Sequence, residues 1–133
     1  MVEQTLIVLK PDSVKQNLVG EILRRFEEKG FAIKKLKMLM MDKSEAEKFY
    51  SVHKEKPFFN ELVSFITSGP IVAAVIEGSD AVNRVRAVIG ATKPSEAAPG
   101  TVRRDFGTSV TQNAIHASDS IESFIKESKI IFG

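Results

Sequence analysis

The sequence predicts one domain in which strands and helices alternate around a small sheet. Three observations lead to this fold class. The chain has 133 residues, close to the roughly 150 residues of a common domain. Four apolar runs look like strands, and helical patterns separate them. Such alternation is typical of α/β proteins. Four strands with two main crossover helices nevertheless fit an antiparallel split βαβ sheet as well as a small parallel sheet, so the pattern leaves the topology open.

The first part of the chain predicts a strand, a helix and a second strand. Residues 1–10 form the predicted first strand, because the apolar run Leu6–Leu9 is uninterrupted and a Lys-Pro-Asp sequence ends it. Apolar residues at helical spacing over 19–26 predict a helix that Gly30 terminates. Residues 31–41 predict a second strand, whose register the pattern does not fix.

Two short helices are expected next. The first begins with a capping box, formed either by Ser44 with Glu47 or by Asp42 with Glu45, and both alternatives fit the sequence equally well. The second runs from about Phe58 to Ser68, with apolar residues on one face and a Gly-Pro pair after it.

The last part of the chain predicts two strands and two helices around a long loop. Ile71–Glu77 reads as a central strand and Asp80–Ile89 as an amphipathic helix. Residues 91–113 break every periodic pattern, and a loop of this length inside a domain is usually functional. Ala114–His116 predicts a short strand, and a capping box of Asp119 with Glu122 predicts the start of the last helix.

Composition excludes several kinds of chemistry. The chain has no Cys and two His, which excludes disulfides, thiol nucleophiles and thiolate zinc sites. Its net charge of +2 is too small for binding nucleic acid over the whole surface. The first residues lack the pattern of a signal peptide, and the longest apolar run, Ile71–Ile76, is far shorter than a membrane span. We therefore expect a cytoplasmic protein that does not use a membrane.

The six arginines are concentrated in two places. Residues 84–104 hold four of them together with Lys93 against Glu96, so this segment carries a charge of +4. One guanidinium group can bind two phosphate oxygens at once. A concentration of arginines beside the loop therefore predicts a polyphosphate ligand there. A solvated arginine-rich face is the alternative interpretation. On a helix, Arg86 falls at the edge of the apolar stripe and Arg84 points away, so Arg86 is the better site candidate.

His116 is the candidate for nucleophilic chemistry. It lies at a predicted strand end just before a helix N-terminus, where polar ligands meet the positive end of the helix dipole. Ser118 and Asp119 follow it closely, whereas His53 has no such neighbours and is assigned a structural role. The spacing of the two histidines predicts no dedicated metal site. The two commonest glycine-rich nucleotide loops are also absent from the sequence.

Residues 29–32, Lys-Gly-Phe-Ala, open like an RNA-recognition strand. The match then fails, because Ile33 and Leu36 stand where stacking aromatics are needed. No specific nucleic acid partner is therefore expected.

Six short motifs, rich in polar residues, Gly and Pro, follow one another along the chain. They are Lys10-Pro11-Asp12, Lys56-Pro57-Phe58-Phe59, Ser68-Gly69-Pro70, Gly90-Ala91-Thr92, Pro99-Gly100-Thr101 with Arg103, Asp105 and Phe106, and finally Asn113, His116, Ser118, Asp119 and Ser120. In this order they closely resemble the nucleoside diphosphate kinase family. The resemblance covers residues 1–133 and predicts a single domain of this kind.

The resemblance implies transfer of the terminal phosphate of a nucleoside triphosphate to a nucleoside diphosphate. The implied route is ping-pong, through a phosphohistidine on His116, with little base specificity. Lys10 and Tyr50 are implied as further catalytic residues, and Ser118 and Glu127 as residues that position the histidine. The implied substrate-binding residues are Lys10, Phe58, Arg86, Thr92, Arg103 and Asn113.

The resemblance also implies a ferredoxin-like fold, a four-stranded antiparallel sheet covered by helices, which decides the topology. Mg²⁺ is the implied cofactor, held through the substrate phosphates and not by protein side chains. Homo-oligomers built from dimers are implied, and the end of the sequence at Gly133 does not decide between a tetramer and a hexamer.

Three residues depart from the family's usual pattern, and none of them removes a catalytic group. Ala117 stands where many members have Gly, Lys93 where Asn is common, and Arg104 where Gly or Ala is common. The alternative function is a catalytically silent nucleotide- or RNA-binding module with the same fold. Such a module would have no reason to keep His116, Ser118 and Glu127 together.

Overall fold

The computed structural model describes residues 2–133. The helices and strands are, in chain order, β1 (Val2–Leu9), α1 (Pro11–Lys15), α2 (Val19–Glu28), β2 (Ala32–Leu39), α3 (Lys43–Phe49), α4 (Phe59–Ile66), β3 (Ile71–Ser79), α5 (Ala81–Ile89), α6 (Val102–Phe106), β4 (Ile115–Ala117) and α7 (Ile121–Phe132). Met1, which the predicted first strand included, lies outside the described residues.

The four strands form one antiparallel sheet in the order β2-β3-β1-β4. This confirms the ferredoxin-like arrangement and decides against the small parallel sheet that the alternation also allowed. β1 lies at the centre, where Ile7 pairs with Ala74 on one side and with Ala117 on the other. Leu9 also pairs with Ile115, so the C-terminal end of β1 lies beside the N-terminal end of β4.

Helices cover both faces of the sheet, because successive residues of the central strand point to opposite sides. Ile7 and Leu9 pack with the apolar residues of α2 and α5, such as Phe26 and Val85. Leu6 and Val8 pack on the other face with residues of α3, α4 and α7. These residues are fully buried, which explains the uninterrupted apolar run in the sequence.

β2 is the edge strand whose register the sequence did not fix. A bulge lies between Ile33 and Lys35, so the alternation of side chains changes phase there. Leu36 and Met38 are more than half exposed on this strand.

Two short helices were not predicted. α1 and α6 have five residues each, too few turns to produce a periodic apolar pattern. α1 begins with a proline at its first position, and α6 is capped by Thr101, whose hydroxyl accepts from the Arg104 N–H. Residues 91–113 are therefore less irregular than the sequence indicated, and they also contain a 3₁₀ turn at Pro94–Glu96.

The structure decides between the predicted helix starts. Asp42 and Glu45 form the capping box of α3, so this alternative is confirmed over Ser44 with Glu47. The capping box of Asp119 with Glu122 is wrong. Ser120 is the N-cap of α7, and its hydroxyl accepts from the Ser123 N–H at 3.0 Å. Asp119 lies one residue too early, and its carboxylate accepts instead from the Ser123 hydroxyl at 2.7 Å.

Over residues 2–133, no helix is both long enough and apolar enough to span a membrane. The longest, α7, has 12 residues.

Candidate active site

A cleft of about 380 Å³ opens at the edge of the sheet where β1 and β4 meet the loops. With one exception, every site residue that the sequence predicted lines it. The lining set comprises Lys10, Tyr50, Phe58, Arg86, Thr92, Arg103, Asn113, His116 and Glu127. The exception, Ser118, is fully buried behind the wall of the cleft. The chain thus brings together residues that are up to 117 positions apart.

The sheet register sets the direction of His116. Val8 of β1 pairs directly with His116 of β4, and paired residues of antiparallel strands point to the same face. Val8 packs on the face covered by α3, α4 and α7. His116 therefore faces α3 and α7, which supply the Phe49 ring at a centroid distance of 4.9 Å and the carboxylate of Glu127.

His116, Glu127 and Ser118 form a hydrogen-bonded group. His116 Nε2 lies 2.8 Å from Glu127 Oε1, and the Ser118 hydroxyl donates to the same oxygen at 2.8 Å. A carboxylate only accepts hydrogen bonds, so Nε2 is the nitrogen that carries the proton. In the neutral ring the lone pair is then on Nδ1, which is the nucleophilic atom of this arrangement.

Arg86 and Arg103 hold the backbone on either side of the histidine. Arg103 donates from Nη2 to the Ile115 carbonyl at 2.9 Å and from Nη1 to the Gly90 carbonyl at 3.1 Å. Arg86 donates to the Ala117 carbonyl at 3.4 Å. Burial of Arg103, together with the nearby charge of Arg86, lowers the pKa of its guanidinium to about 10. Two neighbouring cations, one of them buried, form an environment that favours an anion.

Lys10 adds a third cation at the end of β1. Its Nζ donates to Asn113 Oδ1 at 2.8 Å and to the Thr111 carbonyl at 3.4 Å. Asn113 in turn donates to the Thr92 carbonyl at 3.0 Å, which links both sides of the cleft. Burial, reinforced by the charge of Arg103, lowers the pKa of Lys10 to about 8.

Apolar side chains form the outer part of the cleft. Phe58 is 40% exposed and Val110 is 52% exposed, and both line the cleft. Sequence reasoning missed Val110, because one valine in an aperiodic segment gives no signal. Tyr50 is buried near His116, at a ring distance of 6.4 Å, and burial raises the pKa of its hydroxyl.

His53 lies closer to the site than the sequence suggested. It lines the same cleft, and its ring centroid is 5.6 Å from that of Phe58. Burial and the charge of Lys56 lower the pKa of its ring. The absence of functional neighbours in the sequence was misleading, because the fold places His53 in the same cleft as Arg103 and His116, which are distant along the chain.

The other arginines of the basic segment point away from the cleft. Arg84 lies over the Phe31 ring at 4.4 Å, and its Nη2 donates to the Lys29 carbonyl at 2.7 Å. Arg104 donates to the Ser95 carbonyl at 3.0 Å. Arg84 and Arg104 are therefore hydrogen-bonded within the protein and do not form the solvated face that was the alternative interpretation, whereas Arg86 and Arg103 line the cleft.

The arrangement of groups suits phosphoryl transfer. His116 lines the same cleft as three cations, Lys10, Arg86 and Arg103, and the Glu127 carboxylate that its ring contacts can stabilise positive charge on the ring. Stabilisation of charge spread over phosphoryl oxygens requires such fixed cationic donors. Among residues 2–133, no three His, Asp or Glu side chains are grouped to hold a metal ion.

A family model, curated relatives and solved structures that this chain resembles all belong to one family. The family model described as nucleoside diphosphate kinase matches residues 3–133. A nucleoside diphosphate kinase of Picrophilus torridus is 54% identical over 130 residues, which cover 98% of this chain and 94% of that protein. A crystal structure of the Aquifex aeolicus nucleoside diphosphate kinase superposes with a TM-score of 0.98 at 52% identity, covering 100% of this chain and 96% of that one.

A third similar protein was solved with a nucleotide. The structure of a halophilic nucleoside diphosphate kinase from Halobacterium salinarum, in complex with CDP, has a TM-score of 0.95 and 42% identity. The match covers 99% of this chain and 88% of that one.

Proposed function

The chain belongs to the nucleoside diphosphate kinase family, and we propose that it works by a ping-pong mechanism in which His116 carries the phosphate between two nucleotides. The observation that carries this proposal is the orientation of one imidazole. Nε2 of His116 lies 2.8 Å from Oε1 of Glu127, and this hydrogen bond keeps the proton on Nε2 and the lone pair on Nδ1. The ring lines a cleft that Arg86, Arg103 and Lys10 also line.

In the first half-reaction, Nδ1 of His116 attacks the γ-phosphorus of a nucleoside triphosphate. The Nδ1–P bond forms while the bond from phosphorus to the β,γ-bridging oxygen breaks, and that oxygen leaves with the nucleoside diphosphate. The ring becomes positively charged, and Glu127 stabilises this charge through the Nε2–H group. The Ser118 hydroxyl fixes the carboxylate by donating to the same oxygen at 2.8 Å.

In the second half-reaction, a terminal oxygen of another nucleoside diphosphate attacks the phosphorus and the Nδ1–P bond breaks. A phosphoramidate has a transfer potential close to that of a triphosphate, so both halves are reversible. No proton needs to leave the active site in either direction, because the Nε2 proton stays between the ring and Glu127.

Arg86, Arg103, Lys10 and Thr92 are the proposed partners of the phosphate oxygens. The two guanidinium groups hold carbonyls on both sides of His116, so they are fixed relative to the nucleophile before substrate arrives. Such prior alignment stabilises the transition state without reorganisation during the reaction. Tyr50, packed close to the His116 ring, restricts the ring's movement.

The base and the sugar occupy the outer cleft in this proposal. Phe58 offers a ring face on which any base can stack. Val110 lines the same cleft and has no side-chain group that could hydrogen-bond to a particular base. Asn113 and Lys10 reach the sugar. Purine and pyrimidine nucleotides should therefore both be substrates, and a preference above about a thousandfold would require a specific hydrogen-bonding pocket.

Magnesium fits this site as a companion of the nucleotide. The cleft presents Lys10, Arg86 and Arg103, which suit phosphate oxygens, and Mg²⁺ commonly binds through such oxygens with few protein ligands. When bound with the nucleotide, Mg²⁺ would neutralise part of the phosphate charge. The residues that would hold this complex are the same three cations and Thr92.

We also propose that the protein acts as a homo-oligomer in the cytoplasm. The edge strand β2 supports assembly, because Leu36 is 56% exposed and Met38 is 60% exposed on an unpaired edge. Its proposed occupant is a second copy of this chain. Light scattering on the purified protein tests this, and Met38→Lys should shift the mass towards the monomer.

Labelling with γ-³²P nucleoside triphosphate tests the mechanism. The wild type should take up label that is lost in acid and retained in alkali, as a phosphohistidine is. His116→Ala should abolish uptake, whereas His53→Ala, the matched control in the same cleft, should keep most of it. Full labelling of His116→Ala would overturn the mechanism, and absence of any label in the wild type would favour a silent nucleotide-binding module.

A further inference from the structure

Asp12 is a buried carboxylate that the proposed reaction does not use. It is 9% exposed, and its Oδ2 accepts from the backbone N–H of Ala114 at 3.1 Å. Its Oδ1 is buried and has no hydrogen-bond partner among residues 2–133. Burial raises the pKa of this carboxyl group. Since a buried, half-satisfied carboxylate is costly, its presence requires a physical reason.

Ala114 provides that reason, because its backbone is strained. Its φ is +76°, a region that residues other than glycine rarely adopt. The Ile115 N–H donates to the Asn113 carbonyl at 2.9 Å, which closes a tight turn over this residue. Such strain persists only where the surroundings enforce it.

The segment after β1 enforces it from both sides. The Ala114 N–H is held by Asp12, and the Ala114 carbonyl accepts from the Ser13 hydroxyl at 2.7 Å and from the Lys10 N–H at 3.0 Å. The hydrogen bonds that the Asp12 and Ser13 side chains make to Ala114 are termed the Ala114 clasp below. The clasp fixes both peptide groups of the strained residue.

The residues around Ala114 belong to the cleft. Asn113 precedes it and accepts from Lys10 at 2.8 Å, and His116 follows two positions later. A rotation of Ala114 to negative φ would redirect the chain on at least one side of it. Asn113 and the β4 strand that carries His116 could then not both keep their positions.

We propose that Asp12 is a positioning residue, which acts through the Ala114 clasp to keep His116 and Asn113 aligned for phosphoryl transfer. This inference rests on the proposed role of His116. It differs from an electrostatic role of Asp12 towards Lys10, in which the charge of the carboxylate would matter and the backbone hydrogen bond would not.

Two substitutions of Asp12 separate these roles. Asp12→Ala removes the acceptor, and misplacement of catalytic groups by about 1 Å can cost on the order of a hundredfold in kcat/KM. Asp12→Asn removes the charge but keeps an oxygen for the Ala114 N–H, so it should retain activity to within about fivefold of the wild type. If Asp12→Asn is as impaired as Asp12→Ala, the charge is what matters and the clasp is refuted.

A substitution of Ala114 tests whether backbone strain at this residue causes the loss of activity in Asp12→Ala. Glycine adopts positive φ without strain, so Ala114→Gly should be nearly neutral alone and should restore at least about tenfold of the activity that Asp12→Ala loses. A double variant no more active than Asp12→Ala would overturn the proposal, as would full activity of Asp12→Ala. Circular dichroism monitors folding in each case. If Asp12→Ala does not fold, Ser13→Ala takes its place, with the same expected rescue.

His116→Ala, assayed alongside, separates the two proposals. Activity in that variant would contradict the phosphohistidine mechanism. Its inactivity combined with a fully active Asp12→Ala would contradict only the role of the clasp.

Discussion

Four arginines of one basic segment have two different structural roles, depending on which face they occupy. The inner pair, Arg86 and Arg103, lines the cleft and binds carbonyls beside His116. The outer pair, Arg84 and Arg104, binds the carbonyls of Lys29 and Ser95 and does not line the cleft. Both pairs therefore contact backbone oxygens. They differ because only the guanidinium groups of the inner pair also line the cleft.

This difference shows what a count of charges can and cannot predict. The excess of positive charge in the segment predicts an anion site, and Arg86 and Arg103 line the cleft, but the other two arginines contact the rest of the fold. Burial, together with the nearby charge of Arg86, lowers the pKa of Arg103, so an anion between the two guanidinium groups would be favourable. Arg84 instead stacks on an aromatic ring at 4.4 Å, which satisfies it within the protein.

The largest expected effect comes from changing the inner pair. Arg86→Lys or Arg103→Lys should lower kcat/KM by on the order of a hundredfold, because lysine keeps the charge but loses the two-pronged geometry that aligns phosphate oxygens. Steady-state kinetics with a nucleoside triphosphate and a diphosphate measure this. Unchanged circular dichroism spectra are the control, and wild-type kinetics in either variant would show that charge alone is sufficient.

A smaller effect is expected from pH, through the third cation of the cleft. The pKa of Lys10 is lowered to about 8, so the protonated fraction, and with it kcat/KM, should fall about tenfold per pH unit above that value. Bound phosphates favour the charged form, so kcat itself should decline at a higher pH than kcat/KM.

Substitution of the lysine tests this assignment. In Lys10→Arg the decline near pH 8 should disappear, even if the plateau is lower, because arginine stays protonated. Lys15→Arg, on the exposed end of α1, is the matched control and should keep the wild-type profile. An unchanged decline in Lys10→Arg would assign it to another group.

The comparison also shows where sequence reasoning succeeds. The helical spacing over Asp80–Ile89 favoured Arg86 over Arg84 as a site residue, and Arg86 lines the cleft whereas Arg84 does not. The spacing was wrong about burial, because Arg84 is half-buried against the Phe31 ring and Arg86 is exposed. The buried strands and the longer helices were predictable, since an element of several turns or an uninterrupted apolar run leaves a repeated pattern.

Other features left no pattern to detect. The five-residue helix that carries Arg103 is too short for periodicity. The Ala114 clasp and the place of His53 in the cleft depend on contacts between distant parts of the chain. Glu127 was predicted only through the resemblance to a family. It lies in the middle of α7, and nothing in the helical pattern indicates that it contacts His116 at 2.8 Å.

The smallest expected effect is that of Arg84→Lys, and it is the strictest test of the two-face comparison. Arg84 and Arg86 are two residues apart on α5, so a change that shifted the whole helix would disturb catalysis from either position. Arg84 joins the start of α5 to the end of α2 by donating to the Lys29 carbonyl at 2.7 Å and to the Ser79 carbonyl at 2.8 Å. A lysine loses one of these bonds and part of the stacking on Phe31, which should lower the free energy of unfolding by about 1 kcal/mol.

The rest of α5 is anchored independently by the fully buried Val85 and Ile89, so Arg86 should stay in place and kcat/KM should stay within about twofold of the wild type. Urea denaturation and steady-state kinetics of the same preparation measure the two quantities. If Arg84→Lys loses activity to the same degree as Arg86→Lys, the two faces are coupled through α5, and the division into a structural and a catalytic pair is wrong.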